Sequence, residues 1–287
     1  MDRLQQLISD NWTIRRHELS SLMALIMPGI LAGNLEGVTQ HLRQDKCTVN
    51  CYNPHLCNYW DSTATDLPEN SVMVIRMRGT LYSWESDFLA NHIQAADDNP
   101  RICGIVLDID GPGGMVSHLD RALRAIRDCT KPVATVVTGC MASAHFWLGT
   151  AADRTFIVSD LCEVGSVGVI ITHTSFREFF KKAGIDIREI YPDTADLKNE
   201  ATRALLDNND DSLIKSRAEQ IHLKFASDVA RNLNIDYDPA LPLFRGRMFP
   251  GQEAVSLGYI DELGDVEDAA RWVVAQSAIR KIDSMID

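Results

Sequence analysis

The chain has 287 residues, 45% of them hydrophobic and 24% charged, which is the composition of an ordinary globular protein with a substantial core. Its 40 acidic and 28 basic residues give a formal net charge of -12 at pH 7. A surface that binds nucleic acid needs clustered lysine and arginine, so this charge balance argues against nucleic acid as a partner.

The first long apolar run, residues 22–33, is broken by Pro28 and Gly29 and falls short of the roughly 20 residues that a membrane helix needs. Charged, helix-like sequence precedes it, rather than the short basic region of a secretory signal. The 7 cysteines are spread along the chain and fit a reducing compartment better than a disulfide framework. The sequence therefore predicts a cytoplasmic protein without a membrane span.

The first seventy residues have a different pattern from the remainder. Residues 2–8, 17–27 and 35–43 are helix-like, and a polar stretch rich in cysteine and asparagine follows them. Such a stretch is typical of a linker or an irregular loop. We therefore predict an N-terminal helical extension and linker over residues 1–70, and one main domain over residues 71–287.

The polar stretch contains four side chains of the types that bind zinc, close together in sequence: Cys47, Cys51, His55 and Cys57. A metal ion would give an irregular segment a core of its own. Their spacing is not an established zinc pattern, however, and free thiols in a loop are the simpler interpretation.

From Ser71 onward the hydrophobic pattern becomes regular. Residues 71–79 alternate like a half-exposed strand, whereas GIVLDID (104–110) and PVATVVT (132–138) are β-branched and nearly continuous, like buried parallel strands. Between them, Val116, Leu119, Leu123 and Ile126 fall on one face of a helix. A strand, a helix and a strand with short connections predict a parallel βαβ unit and hence an α/β fold.

The alternation continues towards the C-terminus. We predict strands at 155–159, 164–171 and 185–191, with a helix at 175–184 before the last of them. A long amphipathic helix follows, with one apolar stripe: Ile214, Ala218, Ile221, Phe225 and Val229.

Ligands of such folds gather at the carboxyl ends of parallel strands, and two strand ends carry glycine. In DIDGPGG (108–114), Pro112, Gly113 and Gly114 permit a tight turn and a close approach to a ligand. The simpler interpretation is a strand-to-helix turn. Since the segment lacks GxGxxG and GK[ST] spacing, no nucleotide cofactor is indicated.

The second strand end is TGCMASAHFWLG (138–149), where Ser143 lies at the start of a predicted helix. A serine there is either a helix N-cap or a nucleophile. A nucleophilic serine needs a base, either histidine or an uncharged, desolvated lysine. His145 lies two residues further on, which is about 200° around a helix from Ser143, so ordinary packing is favoured for it.

Five segments then resemble, in order and spacing, the S49 peptidase family of signal peptide peptidase A type serine proteases and their phage relatives. They are DIDGPGGMV (108–116), CMASAHFW with AAD (140–153), EVGSVGVI (163–170), DLKNEAT (196–202) and GRMFPGQEAVSLGYIDELGDVEDA (246–269). The resemblance implies a ClpP/crotonase-like fold with a parallel-stranded core.

The resemblance also implies a Ser-Lys dyad. The family's AASxxYW segment corresponds to MASAHFW, which makes Ser143 the nucleophile, and its GxYK segment corresponds to ADLK, which makes Lys198 the general base. Ala195 and Leu197 replace the usual glycine and tyrosine. Three other lysines therefore remain candidates for the base: Lys181, Lys182 and Lys215.

The family's DSPGG segment implies an oxyanion hole formed by the backbone N–H groups of Gly114 and Ala144. The Ser-Pro pair of that segment is replaced here, but its glycine pair is intact. An extended peptide substrate would then bind by strand addition between two segments. Their implied residues are Gly113, Met115 and Val116 on one side, and Gly165, Ser166 and Val167 on the other.

Residues 10–26 resemble the tryptophan-bearing helical start of phage and prophage S49 proteins that act as head maturation proteases. The implied protein is a homo-oligomeric endopeptidase that needs no cofactor and cleaves scaffold or capsid proteins, in the cytoplasm or within a phage prohead. Three alternatives remain: a protein quality-control protease of the signal peptide peptidase type, a crotonase-type acyl-CoA enzyme, and an inactive assembly protein.

Overall fold

The structure is a computed structural model that describes residues 12–14 and 47–286, except residues 174, 176 and 187. The helices predicted at 2–8, 17–27 and 35–43 lie outside the described residues.

Strands and helices alternate along most of the described chain. In order they are β1 (Trp12–Ile14), β2 (Cys47–Asn53), β3 (Asn58–Asp61), β4 (Ser71–Arg78), α1 (Ser83–Asp98), β5 (Ile102–Gly111), β6 (Gly113–Met115), α2 (Leu119–Asp128), β7 (Val133–Ala142), α3 (Ala144–Gly149), β8 (Arg154–Ile157), β9 (Glu163–Gly165), α4 (Arg177–Lys182), α5 (Glu200–Asn208), α6 (Ser212–Asn232), β10 (Met248–Pro250), α7 (Gly251–Ser256), β11 (Glu262–Leu263) and α8 (Val266–Ile286).

The main sheet has the order β10-β9-β7-β5-β4-β2-β3, and β8 pairs with both β7 and β11. The pairs that join β4, β5, β7, β8, β9 and β11 are parallel, whereas β2, β3 and β10 pair antiparallel. The predicted α/β fold with a mostly parallel core is therefore confirmed. The predicted βαβ unit corresponds to β5, α2 and β7.

Helices cover both faces of the sheet because its central strands carry apolar side chains on both sides. Val74, Val106 and Val136 pack in one cluster with Ala270 and Val273 of α8. The alternate residues of the same strands pack on the opposite face with the other helices, in a cluster that includes Ile75, Leu107, Leu89, Leu123 and Phe225. Such two-sided burial is what nearly continuous β-branched strands predict.

The predicted linker before residue 71 is corrected, because the described part of it forms a hairpin at the edge of the sheet. β2 pairs with β3 and with β4, in a register that places Cys51 opposite Trp60 and Met73. Polar side chains are tolerated at this edge; for example, Asn50 Oδ1 accepts a hydrogen bond of 2.8 Å from Arg76 Nη1. The sheet domain therefore begins before the predicted boundary at residue 71.

Three strand predictions are also corrected. β4 is mostly buried rather than half exposed, because it lies between β2 and β5. β9 ends at Gly165, several residues earlier than predicted. The described residues of 185–191 form no strand and are largely exposed. An alternating pattern makes a strand only where a neighbouring strand offers hydrogen bonds.

Candidate active site

Ser143 alone makes the turn between β7, which ends at Ala142, and α3, which begins at Ala144. Its backbone has φ 56° and ψ -118°, a conformation that non-glycine residues adopt only at a cost of about 1–3 kcal/mol. Its side chain makes no capping hydrogen bond to the helix. Ser143 therefore occupies the N-cap position without a side-chain capping bond, and the strained strand-to-helix turn resembles a nucleophile elbow in its geometry.

The backbone on both sides of Ser143 is fixed by hydrogen bonds. Its N–H donates to the carbonyl of Gly165 at 2.8 Å, and its carbonyl accepts from the N–H of Trp147 at 2.9 Å. The Trp147 bond is the first of the helix, so the N–H groups of Ala144 and the next two residues lie outside the helical ladder. Ala144 is thus free of the ladder, as an oxyanion donor requires.

Trp147 anchors α3 to the long helix α6. Its ring stacks on Phe225 with 4.5 Å between centroids, and its indole Nε1–H donates to the buried Asp228 at 3.0 Å. Burial raises the pKa of Asp228, but the Trp147 hydrogen bond and the charges of Arg127 and Lys224 outweigh it and lower the pKa. The anchor is therefore an ionised carboxylate at neutral pH.

β6 runs beside this turn and carries the glycine pair. Leu81 N–H donates to the Gly113 carbonyl at 2.9 Å, and Met115 N–H donates to the Leu81 carbonyl at 2.8 Å. A Cβ on Gly114 would lie 1.9 Å from the Leu81 carbonyl oxygen, so this close approach requires glycine. Since Gly113 and Met115 bond to Leu81, the N–H of Gly114 points to the opposite edge of β6.

His145 joins β6 to α3. Its Nδ1 accepts a hydrogen bond of 3.1 Å from Gly113 N–H, which assigns the proton of the neutral ring to Nε2. Burial, helped by the nearby Arg78 charge, lowers the pKa of His145 to about 3. His145 is therefore a neutral positioning residue, and it holds the glycine pair of β6 next to the first turn of α3.

No hydrogen bond or ion pair joins the Lys198 side chain to this framework in the part of the chain that the structure describes. That side chain is exposed, and its Nζ forms no such bond with any other described residue. Lys181 and Lys182 are exposed on α4, and Lys215 is exposed and paired with Asp211 at 3.0 Å. None of these four lysines is hydrogen-bonded to Ser143 within the described chain, so the choice of base stays a prediction.

Two of the three residues predicted to form a peptide-binding wall at 165–167 already have backbone partners within the chain. Gly165 pairs with Ala142 on one side and with Met248 on the other, and Ser166 N–H donates to the Arg247 carbonyl at 3.0 Å. Val167 is buried. These hydrogen bonds use backbone groups of Gly165 and Ser166 inside the chain, and the role of residues 165–167 in peptide binding stays a prediction.

The four zinc-compatible side chains do not converge. Cys47 and Cys51 lie in β2, where four residues span about 13 Å. Cys51 is buried, and burial together with the Asp61 charge raises its pKa to about 11. Exposed Cys57 Sγ donates to the Pro54 carbonyl. Throughout the part of the chain that the structure describes, no three metal-binding side chains form a group.

Sequence reasoning missed the residues that hold the site in place. The Trp147–Asp228 hydrogen bond joins residues 81 positions apart. The bridge between Leu81 and Gly114 joins the connection after β4 to strand β6. Neither leaves a local pattern. Only Trp147, four residues after Ser143, could have indicated from the sequence that the first turn of α3 packs against another helix.

Comparison with known proteins gives the class to which this fold and site belong. The model of Peptidase family S49 matches residues 125–280, more than half of the chain. The match includes Ser143 and Lys198 and begins after the glycine pair. The chain belongs to Peptidase family S49.

Two phage proteins are among its relatives. Capsid assembly protease C of Escherichia phage lambda is 30% identical over 71% of this chain and 47% of its own length. The head-tail preconnector protein GP5 of Enterobacteria phage P21 is 28% identical over 62% of this chain and 35% of its own length.

A putative signal peptide peptidase SppA of Enterococcus faecium is 23% identical over 71% of this chain and 60% of its own length. The chain thus spans between about one third and three fifths of these relatives. No helix among the described residues has the length and hydropathy of a membrane span.

Proposed function

We propose that the protein is a serine endopeptidase in which Ser143 is the nucleophile and Lys198 the general base. The observation that carries the proposal is the turn at Ser143, where a strained serine lies between a buried strand and a buried helix. Membership of Peptidase family S49 supports the reaction class.

In the proposed mechanism, uncharged Lys198 accepts the proton of Ser143 Oγ as that oxygen attacks the substrate carbonyl carbon. The N–H groups of Gly114 and Ala144 stabilise the resulting oxyanion, each by about 2.7–4 kcal/mol in the transition state. Collapse of this intermediate expels the amine, which takes the proton from Lys198. In the second half of the reaction, Lys198 accepts a proton from water as the water attacks the acyl-serine. Collapse of that intermediate releases Ser143 Oγ, which takes the proton back from Lys198.

This mechanism needs Lys198 to be desolvated, whereas its side chain is exposed in the described part of the chain. The segment around it exposes large apolar side chains: Ile190 is 93% exposed, Leu197 68% and Phe179 64%. Such a surface is typical of a protein contact. We propose that a second copy covers this segment in a homo-oligomer, where Lys198 loses water and meets a Ser143 of the same or the neighbouring subunit.

The names of two relatives support a proposal for the substrate class. Capsid assembly protease C and the head-tail preconnector protein bear names that refer to phage heads. We propose that this chain cleaves capsid or scaffold proteins during prohead maturation, in the cytoplasm or within the prohead. The relative called a putative signal peptide peptidase favours the alternative, a quality-control protease.

Covalent labelling tests the proposal. The assembled protein is incubated with a fluorophosphonate probe, and the modified residue is located by peptide mass spectrometry. We expect an adduct on Ser143 in the wild type and in Lys215→Met, and none in Ser143→Ala or Lys198→Met. An unchanged adduct in Lys198→Met rules out Lys198 as the base.

A second candidate function rests on the exposure of Lys198. If the protein keeps the fold as an inactive assembly protein, or as a crotonase-type enzyme, Ser143 needs no base. Absence of an adduct in assembled wild-type protein would favour these functions over proteolysis.

A further inference from the structure

The chain places one of its own segments along the glycine-bearing strand. β1 (Trp12–Ile14) pairs antiparallel with β6 in a separate two-stranded sheet. The register sets Trp12 opposite Met115, Thr13 opposite Gly114 and Ile14 opposite Gly113. The sequence predicted a helical start in this region; at residues 12–14 that prediction is corrected.

β6 has two edges, and each is occupied. Leu81 bonds to Gly113 and Met115 along one edge. The N–H and carbonyl of Gly114 point to the other edge, which is the edge that meets Thr13. An extended peptide that binds to β6 by strand addition therefore needs the place that Thr13 holds.

The same amide has been assigned to the oxyanion hole. A substrate carbonyl that receives the Gly114 N–H competes directly with residues 12–14 for it. The nucleophile is closed off as well, because Ser143 is only 1% exposed and residues 111–115 are all buried. A peptide substrate therefore reaches the Gly114 edge of β6 only after residues 12–14 leave it.

We propose that residues 12–14 are an internal ligand of the peptide-binding edge, which blocks substrate until the segment is displaced. This inference rests on the proposed function for its consequence, since the blocked edge is the proposed substrate site. It assigns the kind of ligand that the edge takes: an extended peptide, antiparallel to β6, bound through its backbone.

The expected size of the effect follows from local concentration. A tethered segment has an effective concentration on the order of 1 mM, about ten-fold above a dissociation constant of ~0.1 mM for a short peptide on this edge. Release of the segment should therefore increase peptide access about ten-fold.

Proline substitution in the full-length protein tests the inference. Thr13→Pro removes the N–H opposite Gly114, and Ile14→Pro is a second variant in case the first does not fold. Gln5→Pro, outside β1, is the matched control. Hydrogen–deuterium exchange is followed in the peptide that contains residues 113–115, together with the rate of fluorophosphonate labelling at Ser143.

We expect exchange at residues 113–115 and labelling of Ser143 to rise about ten-fold in the β1 variants and to stay at wild-type values in Gln5→Pro. A synthetic peptide of residues 9–19 should bind the β1 variants and restore slow exchange. Unchanged exchange in both folded variants overturns the inference. Faster exchange overturns it as well if Ser143 of the wild type is labelled and the β1 variants are labelled at the same rate.

The two proposals fail differently. Faster exchange with no labelling of any variant would leave residues 12–14 as the ligand of the β6 edge and would contradict the proposed peptidase activity instead.

Discussion

The turn at Ser143 and the segment that carries Lys198 differ sharply in how they are held. Ser143 lies between buried elements, and hydrogen bonds to Gly165 and Trp147 fix its backbone. Lys198 lies in an exposed segment with apolar side chains facing solvent. The fold of one chain therefore holds the proposed nucleophile and the proposed oxyanion donors in place, whereas the proposed base depends on a further event, which we propose to be assembly.

The largest expected effect is at Gly114. In Gly114→Ala the new Cβ overlaps the Leu81 carbonyl, so we expect a loss of about 3 kcal/mol in unfolding free energy. Any folded fraction should lose about 10²–10³-fold in labelling rate, because the oxyanion donor is displaced. Urea denaturation and labelling measure both effects. Gly168→Ala, where a Cβ meets nothing within 4 Å, is the control and should resemble the wild type.

The anchor at Asp228 should give the next largest effect. Asp228→Asn removes a buried charge that pairs with Arg231 at 2.7 Å and Lys224 at 3.2 Å, and we expect a loss of about 1–3 kcal/mol in urea denaturation. Asp211 is exposed and lies at the N-terminus of the same helix, α6. Asp211→Asn should lower the unfolding free energy by less than about 0.5 kcal/mol. Equal costs for the two would show that the anchor does not depend on burial.

The lowered pKa of Asp228 also gives a pH dependence. Its ionised form is favoured in the folded state, so its contribution is present above the ordinary aspartate pKa and is lost as the pH falls through the lower folded value. The difference in stability between the wild type and Asp228→Asn should therefore shrink below about pH 4.

His145 should make the fold sensitive to mild acid. Its folded pKa lies near 3, below the ordinary histidine value near 6.5, so the unfolded chain binds the proton first. Stability should fall by on the order of 1 kcal/mol per pH unit as the pH drops from about 6.5 towards 3. His145→Asn, which retains an acceptor for Gly113 N–H, should flatten this slope, whereas exposed His55→Asn should keep it.

The smallest expected effect is the difference in stability between two substitutions at Ser143. Ser143 has a positive φ that glycine adopts without strain, so Ser143→Gly should be about 1 kcal/mol more stable than Ser143→Ala. At an ordinary helical or strand position, the glycine variant is the less stable of the two. Thermal unfolding of the two inactive variants measures the difference, and greater stability of the alanine variant would contradict a strained turn.

The local sequence pattern correctly predicted those strands and helices whose structure is determined by residues close together in the sequence. The buried runs of β5 and β7 and the apolar face of α2 specify a parallel unit, and the glycine pair and Ser143 follow its strand ends. The family resemblance then supplied the expected roles, because spacing alone left Ser143 as either a cap or a nucleophile.

The parts that sequence did not predict depend on distant partners. Residues 47–61 look irregular because an edge hairpin tolerates asparagine and cysteine, and residues 185–191 alternate without a neighbouring strand. The pairing of Thr13 with Gly114 joins residues about a hundred positions apart. Long-range pairing of this kind has no signature in a single sequence.

We propose that a fixed Ser143 acquires its base, Lys198, only through assembly. The most direct test is the rate of fluorophosphonate labelling at Ser143, per subunit, as protein concentration is raised through the oligomer transition followed by analytical ultracentrifugation. We expect a rate that rises with the oligomeric fraction in the wild type and stays at background in Lys198→Met. A rate that is independent of assembly, or that persists in Lys198→Met, would contradict the proposal.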